Sequence, residues 1–371
     1  MKKTIAVLHF GGTTLGVTVA SRGLGGAFVV HARSVREYGG IISGEFVDSI
    51  ENLAVIVIDA IREVQRSVKV KIDKLFIGTP HSFCNCDVIS EVLNLSRPRK
   101  ITEKDTYNLV QAAGFFDSSR TVINRSAVFY RLDDGRAIID AAESVAKKVE
   151  ARVSLITTSN YFVDVVKFCL SGSGFRRIEF ISVALAEGLY FIEEEVRDHT
   201  AVMISCSMFS TTVSVCCGDG LMFLQSFEQG IAHVINDVSI VLGTNFAIAN
   251  SLVNEAVVSV RTTENDNYEI MFEGQKKKFG AALVNDIIKS RMELMADHIV
   301  RLFVNADQNL LSNNPIFICG GNLDAVGGAR DFFGKAIGAH ITGCVCPLTK
   351  QNTGIELVIN ALLNMALTHE K

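Results

Sequence analysis

The chain has 371 residues, 48 % apolar and 20 % charged, with a net charge of −4. That length allows two or more domains with their own cores, and the slightly acidic balance argues against nucleic acid as the main partner. Mean hydropathy is +0.29, yet no apolar run reaches the ~20 residues of a membrane-spanning helix, and the run behind Met1-Lys2-Lys3 is too short for a signal peptide.

Thr4 to Leu8 and Leu15 to Ala20 are apolar runs that predict strands, joined by the turn His9-Phe10-Gly11-Gly12-Thr13-Thr14. Gly11 and Gly12 would let the backbone approach a phosphate, and Thr13 and Thr14 offer hydroxyl and N–H groups. The same four residues also suit an ordinary hairpin turn. Between Ser49 and Val68, apolar residues at 50, 53, 54, 57, 58, 61 and 64 predict a helix with one wide apolar stripe. Leu75 to Gly78 predicts a buried strand. Thr102, with Asp105 three residues on, opens a helix that runs to Ala113 and stops at Gly114. Val122 to Tyr130, Ile138 to Asp140 and Val149 to Thr157 read as strands. A helix over Tyr161 to Leu170, a strand over Ile178 to Ile181 and a helix over Val183 to Glu194 follow.

Ala201 to Ile204, Thr212 to Cys216 and Leu221 to Phe227 are three further strands. The polar turn Ser207 to Thr211 joins the first pair, and Gly218-Asp219-Gly220 the second. A helix opens near Gly230, carries His233, Asn236 and Asp237, and breaks at Gly243-Thr244-Asn245; Phe246 to Val253 is the next. A lone helical histidine such as His233 is read as a packing or capping residue. Val257 to Arg261 and Tyr268 to Phe272 read as strands, followed by Lys276-Lys277-Lys278. That charge run is read as a solvated face, with a site for an acidic peptide as the functional alternative. Leu283 to Phe303 is a long helix. Pro315 to Asn322 is a strand ending in Gly320-Gly321, with a helix over Asp324 to Ile337, a short strand over Gly338 to Ile341 and a closing helix over Gly354 to Leu367. The nine cysteines are read as reduced, mostly buried thiols: their number is odd, and Cys84/Cys86 and Cys344/Cys346 are closer than usual zinc-site pairs.

The layout of Thr200 to Asp237 is similar to the second half of an actin-like ATPase. Gly230-Ile231-Ala232-His233-Val234-Ile235-Asn236-Asp237 resembles the matching stretch of the bacterial cell-division family FtsA. The unit inserted between about Ser82 and Thr158, with Ile101-Thr102-Glu103-Lys104-Asp105 opening its helix, resembles the extra subdomain of that family; the pilus-assembly protein PilM has a related insertion. The resemblance covers residues 4 to about 367. It implies an α/β fold of duplicated actin-like (ribonuclease-H-like) domains with an FtsA/PilM-type inserted α/β subdomain. The boundaries expected are 1–81 and 159–197 for the first domain core, 82–158 for the insert, 198–254 and 313–371 for the second core, and 255–312 for its small subdomain.

The resemblance implies ATP and Mg²⁺ in a cleft between the halves, with Gly11, Gly12, Thr13, Thr14, Thr211, Thr212, Gly230, Gly320, Gly321 and Asn322 as nucleotide-binding candidates. Several family positions differ here. His9 or Phe10 stands at the first acid and Leu15 at the lysine. Cys206 and Val213 stand at the acids of the second turn, with Met208, Phe209 and Ser210 at its glycines. Asn250 and Val253 stand at a glutamate and a lysine that reach the nucleotide's sugar and base. No catalytic or metal-binding residue is therefore assigned, and ATPase activity is expected to be weak or absent. The family further implies a scaffold or adaptor in division that binds the C-terminal tail of the tubulin homologue FtsZ or other division proteins. Lys276, Lys277, Lys278 and Arg291 are the partner-binding candidates, and self-association into dimers or filaments is expected. The chain is expected in the cytoplasm, at the inner membrane only indirectly or through a basic amphipathic tail that does not follow Leu367. The alternatives are a PilM-like cytoplasmic adaptor of pilus or secretion assembly and an active, polymerising ATPase.

Overall fold

The apolar runs become two sheets of one plan in the computed structural model, which describes residues 4–23, 26–39, 42–68, 72–306, 313–319, 323, 326–345 and 354–369. The first half opens with β1 (Thr4–Phe10), β2 (Thr14–Arg22), β3 (Phe28–Glu37), the short pair β4 (Ile42–Ser43) and β5 (Phe46–Val47), α1 (Ile50–Ser67) and β6 (Lys74–Thr79). It closes with α3 (Asn160–Cys169), β11 (Arg177–Ser182), α4 (Val183–Phe191) and α5 (Glu194–Arg197). Its sheet has the order β11-β6-β1-β2-β3, antiparallel across β1, β2 and β3 and parallel from β1 to β6 and β11. The crossover helix α1 buries Leu53, Val57, Ala60, Ile61 and Val64 against it, the stripe expected from the 3.6-residue period.

The second half repeats the plan. It contains β12 (Ala201–Cys206), β13 (Thr211–Cys217), β14 (Gly220–Phe227), α6 (Ile231–Val241), α7 (Phe246–Glu255), β15 (Asn267–Phe272), β16 (Gln275–Gly280) and α8 (Ala281–Ala306). β17 (Ile316–Cys319), α9 (Ala329–Ile337) and β18 (Ile341–Gly343) complete it, and the last helix, α10 (Gly354–His369), packs back on α4 and β1 of the first half, where Arg22 donates to Asn364 Oδ1 at 2.6 Å. Its sheet runs β14-β13-β12-β17-β18, again an antiparallel hairpin followed by parallel strands. β1 and β12 are thus counterparts, and the turn after each lies at the C-terminal end of a central strand, where open α/β sheets place ligands.

The insert is a four-stranded antiparallel sheet of β7 (Cys84–Lys100), β8 (Arg120–Leu132), β9 (Ala137–Ile138) and β10 (Val145–Ser159), covered by α2 (Glu103–Gln111). The expected capping box forms: Thr102 Oγ1 accepts from Asp105 N, and Asp105 Oδ2 accepts from Thr102 N at 2.9 Å. The insert also docks on the second half. Leu221 N donates to Ser154 Oγ at 3.1 Å, and Cys86 Sγ donates to Leu221 O at 3.1 Å. Gly218, at φ +54°, passes so close to Val128 O that a Cβ there would lie 2.5 Å from it.

Several expectations are corrected, among them the strand over Gly338 to Ile341: Gly338 closes α9 at φ +81° and the strand is Ile341–Gly343. β7 and β3 were not anticipated: β7 alternates polar and half-buried residues with a proline near its end, so it carries no continuous apolar signal. Val257 to Arg261 is not a strand but makes one bridge, Val257 to Gly327. Its place beside β15 is taken by β16, where Lys276 and Lys278 both pair with Glu269 across the hairpin. The helix expected from Asp324 begins at Ala329, after Gly328 at φ +73°. The helix expected to reach Glu194 ends at Phe191, where Ile192 turns extended and buries itself. Among the described residues no single helix is long and apolar enough to cross a membrane.

Candidate functional site

A cleft of about 600 Å³ lies between the two halves. Its walls are the turn after β1 (His9 to Gly12), the segment after β6 (Pro80 to Cys84), the end of β12 and its turn (Ser205 to Ser210), the end of β14 (Leu224 to Glu228) and His233. Both turns are closed by their own hydrogen bonds. Gly11 N donates to Thr14 O at 2.7 Å, Tyr38 N donates to Thr13 O at 2.9 Å, and the Tyr38 hydroxyl donates to Gly11 O. Burial holds that phenol well above its usual pKa. In the second turn Ser207 N donates to Ser210 O at 2.8 Å, and Ser210 N to Ser207 Oγ at 3.2 Å. The first turn of α6 is used as well: Ile231 N donates to Ser207 O at 3.1 Å and Ala232 N to Met208 O at 2.8 Å. Helix N-terminal amides of this kind are ready anion sites when free; here two of them face carbonyls.

The two turns touch. A Cβ at Gly12 would lie 2.5 Å from the Cβ of Met208, and one at Gly230 would lie 2.7 Å from Met208 O. Met208 therefore sits against the glycine face of the first hairpin.

Beneath the turns lies a buried carboxylate. Glu187, on α4, is 1 % exposed. Its Oε2 accepts from Ser205 Oγ at 2.6 Å and from His81 Nε2 at 3.0 Å, and Cys319 Sγ is 3.8 Å from its Oε1. These partners come from both halves, so Glu187 ties them at the cleft floor. His9, 7 % exposed, stands beside this group with its Nδ1 unpartnered. Burial pushes its pKa down to about 4, against the attraction of Glu187, so the imidazole is neutral at neutral pH.

Of the residues singled out from sequence, Gly11 and Gly12 line the cleft. Thr13 and Thr14 serve the first turn through their carbonyls. Thr211 and Thr212 are buried in β13, where Thr211 Oγ1 donates to Gln229 O at 2.7 Å and Thr212 Oγ1 meets Ser226 Oγ at 2.7 Å. Gly230 packs on the carbonyls of the second turn. Gly320, Gly321 and Asn322 lie outside the described residues. His233 caps α6: its Nδ1 accepts from Gly230 N at 3.2 Å. Away from the cleft, Lys277 Nζ lies 5.6 Å from the Phe272 ring centroid, and Arg291 makes a two-point pair with Asp237 at 2.6 and 2.8 Å. Sequence reading missed Glu187, His81 and Ser205. The available signal was Glu187 itself, the one charge in the otherwise uncharged helix Val183–Phe191.

Duplicated five-stranded sheets, paired hairpin turns and a cleft between them define an actin-like fold. The fold is shared by the PilM–PilN type IV pilus biogenesis complex (TM-score 0.64, 12 % identity, 98 % of this chain and 99 % of that one). It is shared also by MreB5 of Spiroplasma citri bound to AMPPNP (TM-score 0.60, 11 % identity, 100 % and 98 %). No protein-family model matches the chain. Among curated proteins it is similar to the cell division protein FtsA of Streptococcus pneumoniae, 23 % identical over 345 residues, 90 % of this chain and 74 % of that protein. It is likewise similar to FtsA of Enterococcus hirae, 23 % identical over 261 residues, 68 % of this chain. That match spans 59 % of the Enterococcus hirae protein. In sequence the chain is thus similar to FtsA, and in fold to the actin-like proteins.

An actin-type cleft would hold Mg²⁺ and a triphosphate between the hairpins, where amides, cations and a water-bound metal offset the charge. The described residues do not fit that group. Met208 occupies the gap, two amides of α6 are spent on carbonyls, and no Lys or Arg lines the cleft among the described residues. The carboxylate at the floor is already held by three side chains.

Proposed function

We propose that this chain is an actin-fold scaffold or adaptor of the bacterial division machinery that works without turning over nucleotide. The observation that carries the reading is the contact between Gly12 and Met208, with the second turn's carbonyls capping α6. The likeness to division proteins supports the cellular setting. In this reading Glu187, Ser205 and His81 do the closing that a bound nucleotide does elsewhere, and the chain presents one conformation to its partners. Those partners are division proteins, including the acidic tail of an FtsZ-type protein, and further copies of the chain. Lys277 marks the face for such a tail, since Lys276 and Lys278 are paired with Glu269 and Arg291 with Asp237. Attachment to the inner membrane from the cytoplasm is indirect or through a further segment.

Calorimetric titration with Mg·ATP tests the reading. No heat of binding at millimolar ATP is expected; micromolar binding would refute it and restore an ATP-regulated polymer. A second reading, an adaptor of pilus or secretion assembly, is favoured by the whole-chain match to the PilM–PilN complex. It predicts capture of a short peptide from an inner-membrane partner in place of the FtsZ tail.

A further inference from the structure

The cleft keeps a volume of about 600 Å³, within the range of small-molecule sites, although its hairpins are closed to phosphate. Its charge is one-sided. Glu45, Glu187 and Glu228 line it, with no Lys or Arg among the described lining residues. Glu228, from the second half, reaches across the mouth onto Gly44 of the first half, next to Glu45 in the chain. Neither Glu45 nor Glu228 makes an ion pair with a described residue. Glu228 thus brings a second carboxylate to the mouth near Glu45, and carboxylates without a counter-charge favour a nearby cation. Phe10, Tyr38, Phe209 and Phe227 supply aromatic walls, and Phe209 is 38 % exposed. Ring faces attract organic cations. At the floor, His9 lines the cleft with its buried Nδ1 unpartnered, and it stays neutral at neutral pH. It therefore adds no positive charge to compete with a bound cation. A metal ion fits less well: among the described residues no three His, Cys, Asp or Glu side chains gather closely enough to hold one.

We propose that this cleft binds a small organic cation, an amine with an apolar body, its ammonium between Glu45 and Glu228 and its body against Phe209 and Phe227. The proposal rests on the reading that nucleotide does not occupy the cleft.

The test is calorimetric titration of the full chain with benzylamine and phenethylamine, with benzyl alcohol, benzoate and CaCl₂ alone as controls. The amines are expected to bind at least about tenfold more tightly than benzyl alcohol, the scale of one cation–π and carboxylate contact, with benzoate and Ca²⁺ silent. The exposed double variant Glu45→Gln/Glu228→Gln is expected to lose that tenfold for the amines and to leave benzyl alcohol unchanged, with its circular dichroism intact. Equal binding of amine and alcohol, unchanged amine affinity in the variant, or no amine binding at about 10 mM overturns the proposal. Ca²⁺ binding that the double variant abolishes overturns it in favour of a metal. Failure of the amines together with silence of Mg·ATP sinks this proposal alone; micromolar Mg·ATP binding sinks the scaffold reading as well.

Discussion

Gly12→Ala tests the contact on which the functional reading stands. The added methyl would lie 2.5 Å from Met208 Cβ, 3.5 Å from its Cγ and 3.6 Å from its Cα. Ordinary contact begins near 3.4 Å, so the two hairpins must part by about 1 Å. Overpacking of this size costs about 1–3 kcal/mol. The clash is with a Cβ, and this decides which second change relieves it. Met208→Ala keeps that Cβ and leaves the clash in place. Met208→Gly removes it, at its own cost of about 0.5–1 kcal/mol in backbone freedom. Urea unfolding of the four proteins in each double-mutant cycle is the assay. A coupling of about 1–3 kcal/mol is expected with Met208→Gly and close to none with Met208→Ala. Additivity in both cycles would mean that the hairpins stand apart in solution. The space for a phosphate would then be open, and the cleft could admit a nucleotide.

Glu187→Ala leaves the Ser205 hydroxyl and the His81 N–H without their acceptor, a loss of about 2–5 kcal/mol in urea unfolding; Glu187→Gln, which keeps the shape, is expected to cost less than half as much. Ser154→Ala orphans the buried Leu221 N–H and is expected to cost about 1–3 kcal/mol, read as faster amide exchange at Leu221 while β1 stays protected. Asp105 is held below the usual carboxylate range by its hydrogen bonds from Arg99 and Thr102. Its stabilisation is therefore present above an unfolded value near 3.9 and lost as pH falls through the lower folded value. The stability gap between wild type and Asp105→Asn, about 1 kcal/mol or less for so exposed a pair, should close below about pH 4.

Local rules made much of the fold legible. The stripe of α1, the Thr102–Asp105 capping box and the two turn-linked hairpins each follow from neighbours in sequence, and each is present. β7 was hidden because its order comes from pairing with β10, while Asn85, Asp87, Ser90, Glu91 and Asn94 give it no apolar period. β16 was hidden because its lysines are neutralised by a glutamate on the partner strand. The site was less legible for the same reason. Replacement of glycines by Met208 and Phe209 could be read directly, but contact between Met208 and Gly12 joins opposite halves of the molecule. Likewise His81, Glu187 and Ser205 come from three distant segments, and no spacing rule links them.

The docking of the insert on β14 has a mechanical consequence. β7 and β10 are grasped near Cys86 and Ser154 by the second half, while the ribbon continues from Val88 to Lys100 before reaching α2. At about 3.3 Å per residue the stretch beyond the clamp is up to ~40 Å long. A tilt of a few degrees at the clamp would therefore sweep its tip through several ångströms, so small repacking at Leu221 is geared up into a larger displacement at the far end of the insert.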